Sequence, residues 1–161
     1  MISKDGFAER AIALHPRQYR VAWAMLKNEA DCLDAMQEAL AKAWAARKTL
    51  RDDALFSTWL MRILINECNT ILRKRKRHVL VSEPDLGGHT DDGASDVQRL
   101  VDDLPEKLRL PFVLYHIEGY SIKETAKLLS TTSSTIKNRV FRARNILRSE
   151  LGYEKDGGAI Q

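Results

Sequence analysis

Apolar side chains recur at spacings of three and four along most of this chain, the repeat that places them on one face of an α-helix. The clearest run is Phe56 to Arg77. Trp59, Leu60, Ile63, Leu64, Cys68, Ile71 and Leu72 form its apolar stripe, while Arg62, Asn66, Asn69, Arg73 and Lys76 fall largely off it. Ser57 is placed to cap the start, its hydroxyl accepting from an otherwise unpaired backbone N–H. At 1.5 Å per residue this helix spans roughly 30 Å.

The same rhythm predicts the elements before it. A helical pattern from about Phe7 to Leu26 is interrupted at His15-Pro16, so a helix is expected from about Pro16, where proline suits a first turn. Asn28 to Asp31 reads as a turn. A helix follows from about Asp31 to Arg47, with Asp31 as its cap and Ala35, Met36, Ala39, Leu40, Ala43 and Trp44 as its buried stripe. Asp34, Gln37, Glu38 and Lys42 are left on another side. Thr49 to Leu55 breaks the rhythm.

Val79 to Asp96 has no sustained period and is rich in Gly, Asp and Ser, the composition of a flexible linker. Helical order returns from Val97. Leu104-Pro105-Glu106 opens a helix carrying Leu108, Phe112, Val113, Tyr115, His116 and Ile117, which Pro111 kinks or delays and Gly119 ends. Ser121 and Glu124 form a capping box ahead of Ala126, Leu128 and Leu129. After a tight turn at Ser130-Thr131-Thr132, a last helix begins at Ser133 with Ile136, Val140, Ala143 and Leu147 inward. A short helix, a three-residue turn and a basic helix in that order form a helix-turn-helix.

Charge divides the chain along the same boundaries. The net charge of +4 resolves into +6 over residues 1–78, −7 over 79–106 and +5 over 107–161. Two basic modules joined by an acidic segment suit two contact points on a polyanion. Arg73 to Arg77 is a run of five cations, and no acid lies between Lys137 and Arg148. Arginine and lysine neutralise phosphates, and side-chain amides can pair with base edges.

Other chemistries find little support. Cys32 and Cys68 are far apart with no His or Cys at ligand spacing, and both fall in apolar helical patterns, so they are expected to be core thiols rather than metal ligands or a disulfide framework. The sequence has no Ser/His/Asp set and no phosphate-binding glycine loop, and its four histidines are scattered. The expectation is a non-enzyme without metal or cofactor, working through binding free energy. There is no run near the roughly 18 apolar residues of a membrane span and no apolar core of a signal peptide in MISKDGFAER, so a cytoplasmic location is expected.

Taken together, DCLDAMQEALAKAW followed by FSTWLMRILINECNTILRKRKR resembles region two of an extracytoplasmic-function (ECF) sigma factor of bacterial RNA polymerase. LPEKLRLPFVLYHIEGYSIKETAKLLSTTSSTIKNRVFRARNILRSEL resembles region four of the same sigma-70 family. The resemblance implies an all-α chain of two small helical domains: residues 1–78 as region two, 79–96 as linker, 97–151 as the region-four helix-turn-helix and 152–161 as tail. It implies that Asp34, Gln37 and Glu38 dock on the polymerase β′ clamp helices. It places Asn66 at the flipped minus-ten base, with Arg62, Arg73 and Arg75 along the backbone. Leu50 stands where many members carry Phe, in the stretch leading to the base-capturing loop. Thr135, Lys137, Asn138, Arg139, Phe141 and Arg142 fall on the helix that faces the minus-thirty-five element, and Ser130 occupies a turn position usually held by Gly. The implied partners are core polymerase (β′ clamp helices and β flap), promoter DNA and an anti-sigma factor, often membrane-bound. The competing reading is a polymerase-independent helix-turn-helix regulator, which leaves the Asp34, Gln37 and Glu38 face without a purpose.

Overall fold

A computed structural model describes residues 2–79 and 95–152. Most of the expected linker and tail, residues 80–94 and 153–161, lie outside the described residues. The described residues form helices and turns with no strand, in two compact units divided between His89 and Thr90.

The first unit packs three helices, α1 (Lys4–Leu26), α2 (Glu29–Ala46) and α3 (Phe56–Val79), each against the other two. Ser3 caps α1 by accepting from the Gly6 N–H at 3.0 Å. The expected break at His15-Pro16 does not occur, because α1 runs through Pro16. Pro16 and Ile12, one turn earlier, are both on the exposed side, so the carbonyl that loses its donor faces water rather than the core. Lys27 ends the helix in the left-handed region (φ 49°), its N–H returning to the Trp23 carbonyl at 3.0 Å.

Two caps differ from expectation. Asn28, not Asp31, caps α2, accepting from the Asp31 N–H at 2.9 Å, so the helix begins two residues early. Asp31 is thereby left free to meet α3. Ser57 lies inside α3, whose entry is set instead by a 3-10 turn at Asp53–Leu55, capped by Asp52 accepting from Ala54 N–H at 3.0 Å. Arg10 donates to the Asp53 carbonyl at 2.6 Å and ties this turn to α1.

The helices approach closely because α2 turns small residues inward: Cys32, Ala35, Ala39 and Ala43 are fully or almost fully buried. α3, which packs on both α1 and α2, buries Leu60, Met61, Leu64, Ile65 and Cys68. Leu40, expected in this stripe, is 41 % exposed on the far side of α2. At one end of the bundle, Phe7 meets Trp44 and Phe56 edge-on, with ring centroids at 5.2 and 5.5 Å, the geometry that the ring quadrupole favours. Ile2, Leu50 and Leu60 complete that cluster. Each such large side chain contributes about 1.5–3 kcal/mol on burial.

The second unit contains α4 (Asp96–Asp102), α5 (Glu106–Phe112), α6 (Ile122–Leu128) and α7 (Ser133–Glu150). Pro111 sits inside α5, and the helix widens directly after it into a π turn, Val113–Ile117, closed by Glu118 N–H on the Val113 carbonyl at 2.9 Å. Gly119 (φ 79°) then reverses the chain as expected. The Ser121/Glu124 capping box forms with both bonds present. Ser130 takes the left-handed conformation (φ 54°) that its position demands, and Thr132 caps α7 by accepting from Thr135 N–H at 3.2 Å.

Leu104, Leu114, Thr125, Ile136, Val140 and Ala143 are buried at the centre of this unit, while Leu147 is half-buried. Arg109 is also buried, donating to the Leu104 carbonyl at 2.8 Å. Desolvation lowers its pKa, and the nearby charges of Asp102, Glu106 and Asp103 oppose that shift and hold it cationic.

Candidate nucleic-acid interface

In the first unit, the outer face of α3 is set by exclusion. Leu60, Leu64 and Cys68 are buried, so Arg62, Asn66, Asn69 and Arg73, at spacings of four, three and four, emerge together on the exposed side. Two amides and two guanidinium groups therefore line one exposed stripe. Arg73 donates to Thr70 Oγ1 at 3.1 Å, which holds it along the helix. Lys74, Lys76 and Arg77 are exposed beyond it.

Two of the residues expected here are elsewhere. Leu50 is only 7 % exposed and packs among Phe7, Ala43, Phe56 and Leu60, so its side chain faces the core and offers nothing to a nucleic-acid strand. The loop needs an apolar plug where it crosses the end of the bundle, and Leu50 supplies it. Arg75 is turned toward α1 and α2, donating to the Leu26 carbonyl at 2.9 Å and to the Asp31 carboxylate at 2.5 Å. Four of the five cations in Arg73–Arg77 therefore remain on the surface.

On α2, Asp34, Gln37 and Glu38 are all exposed on the side opposite the alanine stripe. Leu33 and Leu40, each 41 % exposed, flank them. Leu33 was not singled out from the sequence and Leu40 was expected to be buried, although their seven-residue separation around Asp34, Gln37 and Glu38 is visible there. Lys42, one turn beyond Glu38, pairs with the largely buried Glu67 of α3, and that bond raises the lysine pKa.

In the second unit, burial of Ile136, Val140 and Ala143 orients α7. Lys137, Asn138 and Arg142 are exposed, and Arg139 and Phe141 are half-buried beside them. Thr135 is half-buried, its hydroxyl 2.8 Å from that of Thr132 at the helix cap. Arg144, part of the same basic helix, donates its Nε–H to His116 Nε2 at 2.9 Å across the π turn, a contact the sequence reading did not foresee. No periodicity could have signalled a contact between residues 28 apart.

The cysteines are buried in the first unit, and burial pushes the thiols up to about 11 for Cys32 and about 12 for Cys68. They stay protonated at neutral pH. Among the described residues no group of His, Cys, Asp and Glu is placed to hold a metal ion, and no helix is long and apolar enough to cross a membrane.

A three-helix unit with a basic, amide-bearing helix face, followed by a helix-turn-helix unit with a basic second helix, defines a two-module nucleic-acid-binding protein. Comparison with known proteins narrows the class. The family model described as Sigma-70 region 2 matches residues 12–78, and that described as Sigma-70, region 4 matches residues 94–147. The chain is 34 % identical to the ECF RNA polymerase sigma factor SigM of Mycobacterium tuberculosis, over 99 % of this chain and 85 % of that one. It is 29 % identical to the ECF RNA polymerase sigma-E factor of Escherichia coli, over 75 % and 74 % of the two chains. Among solved structures, the sigma factor RpoE of Bartonella quintana, in complex with the anti-sigma factor NepR, superposes with a TM-score of 0.79 at 28 % identity. That match covers 95 % of this chain and all of the other. The chain belongs to the ECF sigma factors of the sigma-70 family.

Proposed function

We propose that this protein binds core RNA polymerase and directs it to start transcription at particular promoters, α7 reading duplex minus-thirty-five DNA and α3 engaging the melted minus-ten strand. The observation that carries this reading is the exposed stripe of Arg62, Asn66, Asn69 and Arg73 on α3 in the same chain as a helix-turn-helix that exposes Lys137, Asn138 and Arg142. One surface suits an unpaired strand and the other a major groove.

The work is done by binding rather than by bond-making. A base that has left the duplex gains contacts with α3 that a paired base cannot make, so strand opening is favoured by the difference in affinity between the two states. Asn66 is the base reader in this account, and Arg62, Arg73 and the exposed cations after it follow the phosphates. On α7, Asn138 and Arg142 reach base edges, with Lys137, Arg139, Phe141 and Thr135 beside them.

Asp34, Gln37 and Glu38, framed by Leu33 and Leu40, form the polymerase-docking surface. Exposed apolar side chains set beside polar and charged ones suit a protein interface, and an acidic face would repel DNA. The protein acts in the cytoplasm, and an anti-sigma factor holds it inactive, by analogy with the NepR-bound relative.

Co-migration with core polymerase on size exclusion tests the docking assignment. Wild-type chain is expected to elute with core polymerase, and Asp34→Lys with Glu38→Lys to elute alone with an unchanged circular dichroism spectrum, since both side chains are exposed. Normal co-elution of the double variant would place the docking surface elsewhere.

A further inference from the structure

The basic end of α3 is fixed by a clasp. Arg75 is the one cation of the Arg73–Arg77 run that is half-buried, and its guanidinium bridges two elements more than forty residues away in sequence. One N–H group donates to the carbonyl of Leu26, the last residue of α1, at 2.9 Å. Another donates to the Asp31 carboxylate in the first turn of α2 at 2.5 Å. Both side chains are about one-third exposed (37 % and 34 %), so the pair is partly shielded from solvent.

The position of the clasp matters. Cys68 is the last fully buried residue of α3, Ile71 and Leu72 are half-buried, and Lys76, Arg77 and His78 are exposed. The last turn of a helix lacks partners for its carbonyls and frays unless held. A guanidinium fork that satisfies a carbonyl and a carboxylate together fixes both distance and direction, which a lysine cannot do. Asp31 is also one turn before Asp34, so the same contact sets the start of the docking helix against the end of the DNA-facing helix.

We infer that Arg75 is a positioning residue: through Asp31 and Leu26 it holds the exposed cations Arg73, Lys74, Lys76 and Arg77 in register with a nucleic-acid backbone, and does not itself neutralise a phosphate. This rests on the sigma reading above for the identity of the nucleic acid. It makes a prediction of unusual sign. Asp31→Asn removes a negative charge, which on net charge alone strengthens DNA binding. Loss of the clasp weakens it.

The test titrates holoenzyme, assembled from core polymerase and the full chain, with a fluorescent fork-shaped promoter DNA at several salt concentrations. The variants are Asp31→Asn, Arg75→Lys, Arg75→Glu and the charge swap Asp31→Arg with Arg75→Glu. Hydrogen exchange over residues 72–79 is followed in the free chain. The expected result is that Asp31→Asn and Arg75→Lys each lower affinity roughly tenfold, flatten the salt dependence by more than one phosphate contact and speed exchange in that last turn. The charge swap should recover affinity relative to Arg75→Glu alone. Tighter binding by Asp31→Asn, with a slope that drops by one contact in Arg75→Glu and no recovery in the swap, would make Arg75 a direct phosphate ligand and overturn the proposal. Unchanged exchange in Asp31→Asn and Arg75→Lys would overturn it as well. If wild-type chain forms no holoenzyme, the sigma reading is what has failed, and binding of the same DNA by the free chain decides the role of Arg75.

Discussion

Arg144 donates its Nε–H to His116 Nε2, which requires a neutral imidazole carrying its proton on Nδ1. The ring lies against Phe112 and Tyr115, with centroids at 4.8 Å from each. Burial, and then the Arg144 charge, lower the His116 pKa below its ordinary value of 6.5. The folded state therefore binds fewer protons than the unfolded one in the window extending downward from pH 6.5. Stability from this contact is fully present above pH 6.5 and is lost as pH falls through the lowered pKa. Chemical denaturation of the protein from pH 7.5 to 5 should show that decline, and His116→Gln, which keeps an acceptor and cannot titrate, should flatten it. An unchanged pH profile in the variant would contradict the assignment.

Ser130 holds φ 54° in the turn before α7, a conformation that opposes a side chain. Ser130→Gly should raise stability by up to about 1 kcal/mol, and Ser130→Val should lower it by a similar amount or more. Thermal unfolding of the two variants checks both signs.

Leu50 separates a packing role from a reading role. With its side chain in the Phe7, Phe56 and Leu60 cluster, Leu50→Ala should cost about 2–4 kcal/mol of stability. A direct role in reading DNA predicts the opposite pattern, altered promoter use with unchanged denaturation.

Asn138 and Arg142 are exposed on one side of α7, four residues apart. Asn138→Ala or Arg142→Ala should remove about 1–3 kcal/mol of discrimination at the base each one contacts, read as relaxed preference in a library of minus-thirty-five sequences. Full retention of preference in both variants would misplace the recognition helix.

What was legible in the sequence follows from range. The α3 stripe, the Ser121/Glu124 box, the Gly119 stop and the inward residues Ile136, Val140 and Ala143 all rest on spacings within one or two turns, and the structure shows each of them. At Ser130 the family resemblance, with Gly usual in that turn, left a left-handed residue or a shifted turn as alternatives, and φ 54° shows the first. The differences come from tertiary partners. Whether Pro16 breaks a helix depends on which side of α1 meets water, and whether Leu40 is core depends on how narrow a stripe α2 buries. Arg75 sits in a run of five cations that look alike in sequence, yet contacts from residues 44 and 49 positions away single it out. Leu50 was read from its place in a loop, and only the aromatic cluster around it shows that the loop is pinned there.

A sigma factor is defined by the promoter preference it gives core RNA polymerase. The most direct measurement is in vitro transcription by bacterial core polymerase on genomic DNA fragments, with and without the protein, followed by mapping of RNA 5′ ends. New, discrete start sites that share two upstream sequence elements, and that vanish with Asn66→Ala or Arg142→Ala, are the predicted result. No new start sites, with the protein binding duplex DNA as a homodimer in the absence of polymerase, would contradict the account and make it an independent helix-turn-helix regulator.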